Sequence, residues 1–117
     1  VALAHMDSAA RAGADVALVV CPYYNKPGQR GLVAHFRHLA DHGPLPILLY
    51  NIPGRSGIDM TSETMAELAG HPAIIGVKES TGDIERISEI RQACGRDFLI
   101  LSGNDYMTLG IIAHGGH

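Results

Sequence analysis

Apolar residues along the chain alternate between helical spacing and short uninterrupted runs. Over residues 2–12, Leu3, Met6 and Ala10 recur every three or four positions, as on one face of an α-helix. The segment DVALVVC at 15–21 is apolar after its first residue and rich in valine, which is typical of a buried strand. One helix followed by one buried strand is therefore the first unit of the chain.

The same unit recurs along the rest of the chain. Further strands are predicted at 46–51, 73–78 and 98–103. Further helices are predicted at 30–43, from Thr61 or Ser62 to Gly70, at 84–94 behind the N-cap Asp83, and from residue 106 onward. Strands that are continuously apolar and separated by helices are typical of a parallel sheet covered by helices. The predicted fold class is α/β.

Two α/β architectures fit this pattern. One is a doubly wound open sheet with helices on both faces, and the other is a (β/α)8 barrel, which typically takes about 250 residues. The apolar pattern alone does not choose between them. Both place their functional sites at the carboxyl ends of the strands, where loops and helix amino termini meet. The strand ends are therefore where chemistry is expected.

Composition narrows the classes of partner. A chain of 117 residues with a formal net charge of −3 and no basic cluster fits one domain without a nucleic-acid partner. No apolar run approaches the roughly 18 residues of a membrane span, and the first residues lack the basic region of a signal peptide, so a soluble, cytoplasmic protein is expected. Cys21 and Cys94 are predicted to be buried thiols, and no cysteine or histidine spacing indicates zinc.

Polar side chains follow all four predicted strands. The strands run into CPYYNKPG, YNIPGRSG, KESTGD and SGND. In either architecture these segments meet at one end of the sheet. The residues brought toward that end are Tyr23, Tyr24, Tyr50, Arg55, Lys78, Ser102, Asn104 and Asp105. Agreement over four consecutive strands favours a functional site there.

Lys78 is unusual because it ends an apolar strand in a chain that has only one other lysine, Lys26. A lysine in that position is partly desolvated, which favours the neutral amine over the ammonium ion. A neutral amine is a nucleophile that forms an imine with a ketone or an aldehyde. The competing interpretation is structural: the side chain reaches water or pairs with Glu79 or Asp105. Lys78 alone does not decide between them.

Two neighbours of Lys78 favour the imine. Tyr50 ends the adjacent strand, where its phenol can relay the protons that imine chemistry moves, although a core tyrosine bonded to a carbonyl is the alternative. Arg55 lies in the loop PGRSG and can clamp a substrate carboxylate with its planar guanidinium, although a solvated loop arginine is the alternative. Together, the amine, the phenol and the guanidinium indicate an α-keto acid.

In this order and spacing, the motifs PYYNKP, LPILLYNIPGRSG, IIGVKESTGD and LSGND resemble the dihydrodipicolinate synthase family of pyruvate-dependent class I aldolases, whose superfamily includes N-acetylneuraminate lyase. The resemblance covers essentially all 117 residues. It implies a (β/α)8 barrel in which residues 1–117 form part of one catalytic domain, roughly strands four to seven. It also implies that Lys78 forms a Schiff base with pyruvate, without a cofactor or metal, and that Tyr50 belongs to the proton relay.

The resemblance implies roles for further residues. Tyr24 would reach the active site of a neighbouring subunit, Arg55 would receive a substrate carboxylate, and Gly103 would place its backbone beside pyruvate. Tyr23 would lie near the site where lysine inhibits some members of the family. The implied reaction condenses pyruvate with aspartate semialdehyde to 4-hydroxy-tetrahydrodipicolinate, in lysine and diaminopimelate biosynthesis. The implied assembly is a homotetramer built as a dimer of dimers.

The chain departs from the family pattern by omission. The first three strands, which carry a GTTGE-type segment with the relay threonine, have no counterpart, and neither do the last strand and the C-terminal helices. An internal segment of a longer barrel is therefore expected. Three alternatives to the synthase stay open: N-acetylneuraminate lyase or another 2-keto acid aldolase, a non-catalytic α/β module that binds an anion, and an inactive fragment.

Overall fold

The computed structural model describes all 117 residues as four parallel strands that alternate with helices. The strands are β1 (Ala17–Val20), β2 (Ile47–Asn51), β3 (Ile74–Glu79) and β4 (Leu99–Ser102). The helices are α1 (Ala2–Arg11), α2 (Gln29–His42), α3 (Pro53–Ser56), α4 (Ser62–Ala69), α5 (Ile84–Cys94) and α6 (Thr108–Ala113), with a 3-10 turn over Asp105–Met107. Every predicted strand and helix is present, which confirms the α/β class. None of the helices is long and apolar enough to cross a lipid bilayer.

Two local features differ from the sequence prediction, and both lie in connections at the carboxyl ends of strands. A short helix, α3, follows β2, with Pro53 at its start and Gly57 ending it in the left-handed region at φ +70°. The last helix is preceded by a 3-10 turn, so α6 starts only at Thr108. Of the two candidate caps for α4, Thr61 is the cap, because it accepts a hydrogen bond from the Thr64 amide.

The strand order decides between the two predicted architectures. The four strands pair in chain order, β1-β2-β3-β4, and every pair is parallel. Right-handed crossovers between strands that are added in one direction place all the helices on the same face of the sheet. A doubly wound sheet instead reverses direction at a switch point, and this sheet has none. The strand order is that of a (β/α)8 barrel segment.

The two faces of the sheet differ in burial. On the face covered by helices, which we call the helix side, Leu49, Val77 and Ile100 are 0% exposed. On the opposite face, which we call the open face, Leu18 is 49% exposed. In a closed barrel, side chains on the face without helices fill the interior. The open face therefore corresponds to the inside of a barrel, and the hydrophobic core of this chain lies on the helix side.

A register shift between β2 and β3 places the strand-end residues. Ile75 is an extra residue in β3, between the pairs that this strand forms with Ile47 and Leu48 of β2. Without this bulge, Tyr50 would lie opposite the residue before Lys78, and the two side chains would point to opposite faces. With the bulge, Tyr50 and Lys78 are cross-strand partners on the open face.

The two cysteines are free thiols in different environments. Cys21, which follows β1, is fully buried, as predicted. Cys94 is only partly buried because it is the last residue of α5, next to exposed loop residues, so the prediction of a buried thiol is wrong there. Burial raises the pKa of both thiols to about 11. Both thiols are therefore neutral at ordinary pH.

Candidate active site

Lys78 and Tyr50 lie side by side at the carboxyl end of the sheet. As cross-strand partners in β3 and β2, they project from the same face. The Lys78 Nζ atom lies 4.6 Å from the centroid of the Tyr50 ring, within the range of a cation–π contact. Both residues are partly exposed, so the amine is accessible to a small molecule. The structure brings together the amine and the phenol that the sequence singled out.

No carboxylate neutralises the Lys78 amine. The side chain of Glu79 lies on the helix side and is 2% exposed, whereas Asp105 is exposed in the 3-10 turn. None of the ion pairs in the structure includes Lys78 or Asp105. The interpretation of Lys78 as an ion-pair partner of either acid is not supported. Its amine is left free for covalent chemistry.

Arg55 lies on α3, directly after β2, and is exposed. The loop that carries it is held by its own hydrogen bonds: the Ser56 hydroxyl donates to the Ile52 carbonyl at 3.0 Å and accepts from the Ile58 amide at 3.3 Å. Arg55 itself forms no ion pair. A fixed loop with an unpaired guanidinium at its surface is suited to receiving an anion.

Lys26 lies against the same loop. The position that a β-carbon on Gly57 would occupy is 3.1 Å from Lys26 Cε and 3.3 Å from its Nζ. Lys26 also has φ +45°, which is uncommon for a residue with a side chain. No pattern in the sequence indicated this contact, because Lys26 and Gly57 belong to two separate connections. The turn after β1 therefore packs on the loop that presents Arg55.

Tyr23 and Tyr24 lie on the turn after β1 and project into solvent. They are 63% and 91% exposed, respectively. At that exposure Tyr24 makes almost no contact within this chain, so the structure does not bring it to Lys78. The roles implied for both tyrosines, at a subunit interface and near an inhibitor site, stay predictions.

Gly103 lies where the end of β4 comes closest to β3. Its amide donates to the Glu79 carbonyl at 2.8 Å. A β-carbon on Gly103 would lie 1.5 Å from Ser80 Oγ and 2.7 Å from Ser80 Cβ. In the turn that follows, the Asn104 amide donates to the Ser102 hydroxyl at 3.2 Å. Glycine is therefore required at position 103 by this close approach alone, and its predicted place beside a ligand stays a prediction.

Replacing Gly103 with Ala in a full-length barrel that carries these residues is expected to lower the free energy of unfolding by about 1–3 kcal/mol, because the added methyl group must displace Ser80. Urea denaturation measures this change. Gly54→Ala is the matched control, since nothing lies within 4 Å of its β-carbon position. Equal stability of the two variants would show that β3 and β4 do not approach each other as closely as described.

A polar network lies behind Lys78 and Tyr50, on the helix side, and runs from the buried Asn51 and Glu79 to Asp59, whose side chain is 45% exposed. Asn51 and Glu79 are 0% and 2% exposed, and Asn51 Nδ2 donates to both carboxylate oxygens of Glu79 at 3.2 Å. Asn51 Nδ2 also donates to Asp59 Oδ1 at 2.9 Å. Arg86 of α5 donates to the two carboxylate oxygens of Asp59 at 3.0 and 2.8 Å. No motif in the sequence pointed to this network; the available signal was a polar residue directly after Tyr50 and another directly after Lys78.

Burial and hydrogen bonding have opposite effects on the pKa values of the two carboxyl groups in this polar network. Burial raises the pKa of Glu79 above its ordinary value, although hydrogen bonds from Asn51 and Thr81 partly offset the effect. Burial also acts on Asp59, but hydrogen bonds from Arg86 and Asn51 outweigh it and hold the pKa of Asp59 below its ordinary value. The hydrogen bond from Arg86 to Asp59 raises the pKa of the guanidinium in turn. The network thus combines a charged Arg86–Asp59 pair with a carboxyl group whose ionisation is disfavoured.

Glu79→Gln is expected to change how stability depends on pH. Because folding raises the pKa of Glu79, this residue stabilises the folded state at low pH, and the contribution is lost as the pH rises through the folded-state pKa. The variant has no titrating group at this position. The unfolding free energy of the variant minus that of the wild type should therefore increase between about pH 4 and pH 7. Urea denaturation across this range measures the difference, and a constant difference would contradict the raised pKa.

The fold and the strand-end site together define a class of protein. Four parallel strands in chain order, helices on one side and polar side chains at the carboxyl ends are the features of a (β/α)8-barrel segment. Residues 1–117 match the dihydrodipicolinate synthetase family along their whole length. The chain belongs to this family.

Known proteins of the family are similar along nearly the whole chain. The 4-hydroxy-tetrahydrodipicolinate synthase of Rhizorhabdus wittichii is 57% identical over 116 residues, which are 99% of this chain and 40% of that protein. The crystal structure of dihydrodipicolinate synthase from Aquifex aeolicus aligns with a TM-score of 0.94 at 46% identity and covers 98% of this chain and 40% of that one. A chloride-inhibited dihydrodipicolinate synthase from Acinetobacter baumannii, solved in complex with pyruvate, aligns with a TM-score of 0.94 at 39% identity, again over 98% of this chain and 40% of that one. The chain spans about 40% of the length of these relatives, and the barrel prediction is confirmed.

Proposed function

We propose that this chain is part of a lyase that condenses pyruvate with aspartate semialdehyde to 4-hydroxy-tetrahydrodipicolinate through an imine on Lys78. The observation that carries the proposal is the Lys78 amine, 4.6 Å from the Tyr50 ring centroid, on the open face and without a carboxylate partner. Membership of the family and the relative that was solved with pyruvate support the choice of first substrate.

The proposed reaction begins with addition of the Lys78 amine to the ketone carbon of pyruvate, and loss of water leaves a protonated imine. Removal of a proton from the methyl carbon gives an enamine, whose carbon attacks the aldehyde carbon of aspartate semialdehyde. The amino group of the semialdehyde then attacks the imine carbon, which closes the ring and releases Lys78 as a free amine. One water is lost overall, and the scheme calls for no cofactor or metal.

Each candidate residue has a task in this scheme. The Tyr50 phenol moves protons to and from the adduct on Lys78, since both side chains project from the open face. Arg55 receives the carboxylate of the second substrate on the loop after β2. Gly103 places its backbone beside the bound pyruvate. An exposed, unpaired guanidinium favours a carboxylated acceptor and hence the synthase over N-acetylneuraminate lyase.

The proposed enzyme is longer than this chain. β1 and β4 each have one unpaired edge, and in a closed barrel such edges pair with further strands. We assign residues 1–117 to roughly strands four to seven of a parent protein, meaning the full-length barrel that carries them. In that cytoplasmic homotetramer, Tyr24 would reach the site of a neighbouring subunit, and Tyr23 would lie near the site of lysine inhibition.

Product formation by the parent protein tests this assignment. With pyruvate held constant, the parent protein is expected to consume aspartate semialdehyde and to leave N-acetylmannosamine, the acceptor for the sialate lyase reaction, unchanged. Consumption of N-acetylmannosamine alone would replace the synthase by the sister activity. Consumption of neither acceptor, together with no pyruvate adduct, would favour a module that binds an anion without turnover.

A further inference from the structure

Asn51 directly follows Tyr50 and Glu79 directly follows Lys78; we call Tyr50 and Lys78 the reactive pair. Because side chains alternate along a strand, these two residues point to the helix side while Tyr50 and Lys78 project from the open face. Asn51 and Glu79 are themselves cross-strand partners, and the hydrogen bonds of 3.2 Å between their side chains join β2 to β3 one residue beyond the reactive pair. The reactive pair is thus backed by a second pair on the other face.

Helix α5 anchors this second pair. Asn51 donates to Asp59, and Asp59 accepts two hydrogen bonds from the guanidinium of Arg86. Arg86 also donates to the Met60 carbonyl at 2.9 Å, and its side chain is only 16% exposed. A bidentate guanidinium–carboxylate pair has one preferred geometry, so it fixes direction as well as distance. The end of β2 is therefore held against α5.

The loops that follow β2 and β3 are tied to the same network. The Met60 amide donates to Asn51 Oδ1 at 3.0 Å, which fixes the far end of the loop that carries Arg55. The Thr81 amide donates to Glu79 Oε1 at 3.0 Å, which fixes the turn after Lys78. The network therefore connects to all three candidate residues at the ends of these two strands.

Stability alone is a poor reason for such a network in this position. The Arg86–Asp59 pair is partly exposed, and ion pairs at such positions contribute little to stability, while burying the Glu79 carboxyl group costs free energy of desolvation. Catalysis by a positioned amine, in contrast, is sensitive to displacements of about 1 Å, which can change a rate by up to about a hundredfold. A network that holds β2 and β3 in fixed register at their ends keeps the Lys78 amine in place, which favours a role in catalysis over a role in stability.

We propose that the polar network of Asn51, Asp59, Glu79 and Arg86 is a positioning device that sets the place of the Lys78 amine relative to Tyr50 and thereby the rate of imine formation. This inference rests on the proposed function, because it presumes that Lys78 reacts with pyruvate. None of the four residues touches the reacting atoms. They are positioning residues that act through the backbone of β2 and β3.

The test uses the parent protein with Arg86→Met and Glu79→Gln, and with Arg37→Met as the matched control. Arg37 forms a surface ion pair with Glu67 between exposed side chains, so its loss removes a guanidinium–carboxylate pair far from the strand ends. Pyruvate is the probe, and borohydride traps the imine at short and long times across a range of pH. The trapped fraction at long times counts competent subunits, and the initial rate per competent subunit reports positioning.

Arg86→Met is expected to reach the wild-type endpoint but to form the imine about tenfold more slowly, with an unchanged half-saturating pyruvate concentration. Glu79→Gln should be slowed as well, and Arg37→Met should match the wild type. A lower endpoint with an unchanged rate per competent subunit would overturn the inference, since it would show a purely structural role. If Arg86→Met does not fold, Glu79→Gln decides alone. No adduct in the wild type would instead overturn the proposed function, and this inference with it.

Discussion

Replacing Lys78 with Arg is expected to lower kcat/KM of the parent protein by at least about 10⁴-fold, the scale of loss when the nucleophile of a covalent mechanism is removed. Arginine keeps the positive charge and most of the length of lysine. Its guanidinium stays protonated, however, and cannot add to a ketone. Without a primary amine at the end of β3, no imine with pyruvate forms. Steady-state kinetics and borohydride trapping with pyruvate both measure the loss.

Lys26→Arg is the matched control, because Lys26 is the only other lysine of the chain and also lies at the carboxyl end of the sheet. This variant is expected to keep the pyruvate adduct, since its primary amine takes no part in the covalent step. An adduct that persists in Lys78→Arg and disappears in Lys26→Arg would move the Schiff base to the other lysine and contradict the site described above.

Tyr50→Phe is expected to slow turnover by about 10²- to 10⁴-fold, the usual contribution of a positioned acid–base group. Phenylalanine keeps the ring beneath the Lys78 amine, where the centroid lies 4.6 Å from Nζ, and removes only the hydroxyl. Binding of pyruvate should therefore change little, while every step that moves a proton slows. Single-turnover measurements of imine formation, with the KM for pyruvate beside them, separate the two effects.

The same change at another tyrosine controls for the loss of a hydroxyl group. Tyr106 lies just beyond the end of β4 and is 81% exposed, so Tyr106→Phe should leave the rate unaltered. A Tyr50→Phe variant as fast as the wild type would remove Tyr50 from the proton relay. It would leave the imine on Lys78 untouched, because that step is tested separately.

Much of the fold follows from local pattern. Continuous apolar runs, such as the one that forms β2, predict buried strands. Asp83 marks the start of α5, because its carboxylate accepts a hydrogen bond from the Glu85 amide at 3.0 Å. The meeting of the polar segments at one end of the sheet also follows from the sequence, because it requires only that the four strands are parallel. The imine hypothesis for Lys78 depended on this convergence and on the motifs of the family.

Other features depend on contacts between segments that no local pattern records. The single extra residue in β3, Ile75, decides whether Lys78 lies beside Tyr50 or on the opposite face, and nothing in the apolar run distinguishes it from its neighbours. The apolar pattern also left open the choice between a barrel and a doubly wound sheet; the motifs of the family implied the barrel, and the strand order confirmed it. The polar network depended on Arg86 of α5, which reaches Asp59 in the loop between α3 and α4. The extra residue in β3 and the polar network are set by tertiary packing, which explains why local patterns in the sequence missed them.

Mass spectrometry of the parent protein after borohydride reduction in the presence of pyruvate tests directly whether Lys78 is the Schiff-base lysine. A gain of one reduced pyruvyl group per subunit is expected, mapped by fragmentation to Lys78, and no gain when pyruvate is left out. An adduct on any other residue, or no adduct in protein that is folded and binds pyruvate, would contradict the assignment of Lys78 as the Schiff-base lysine.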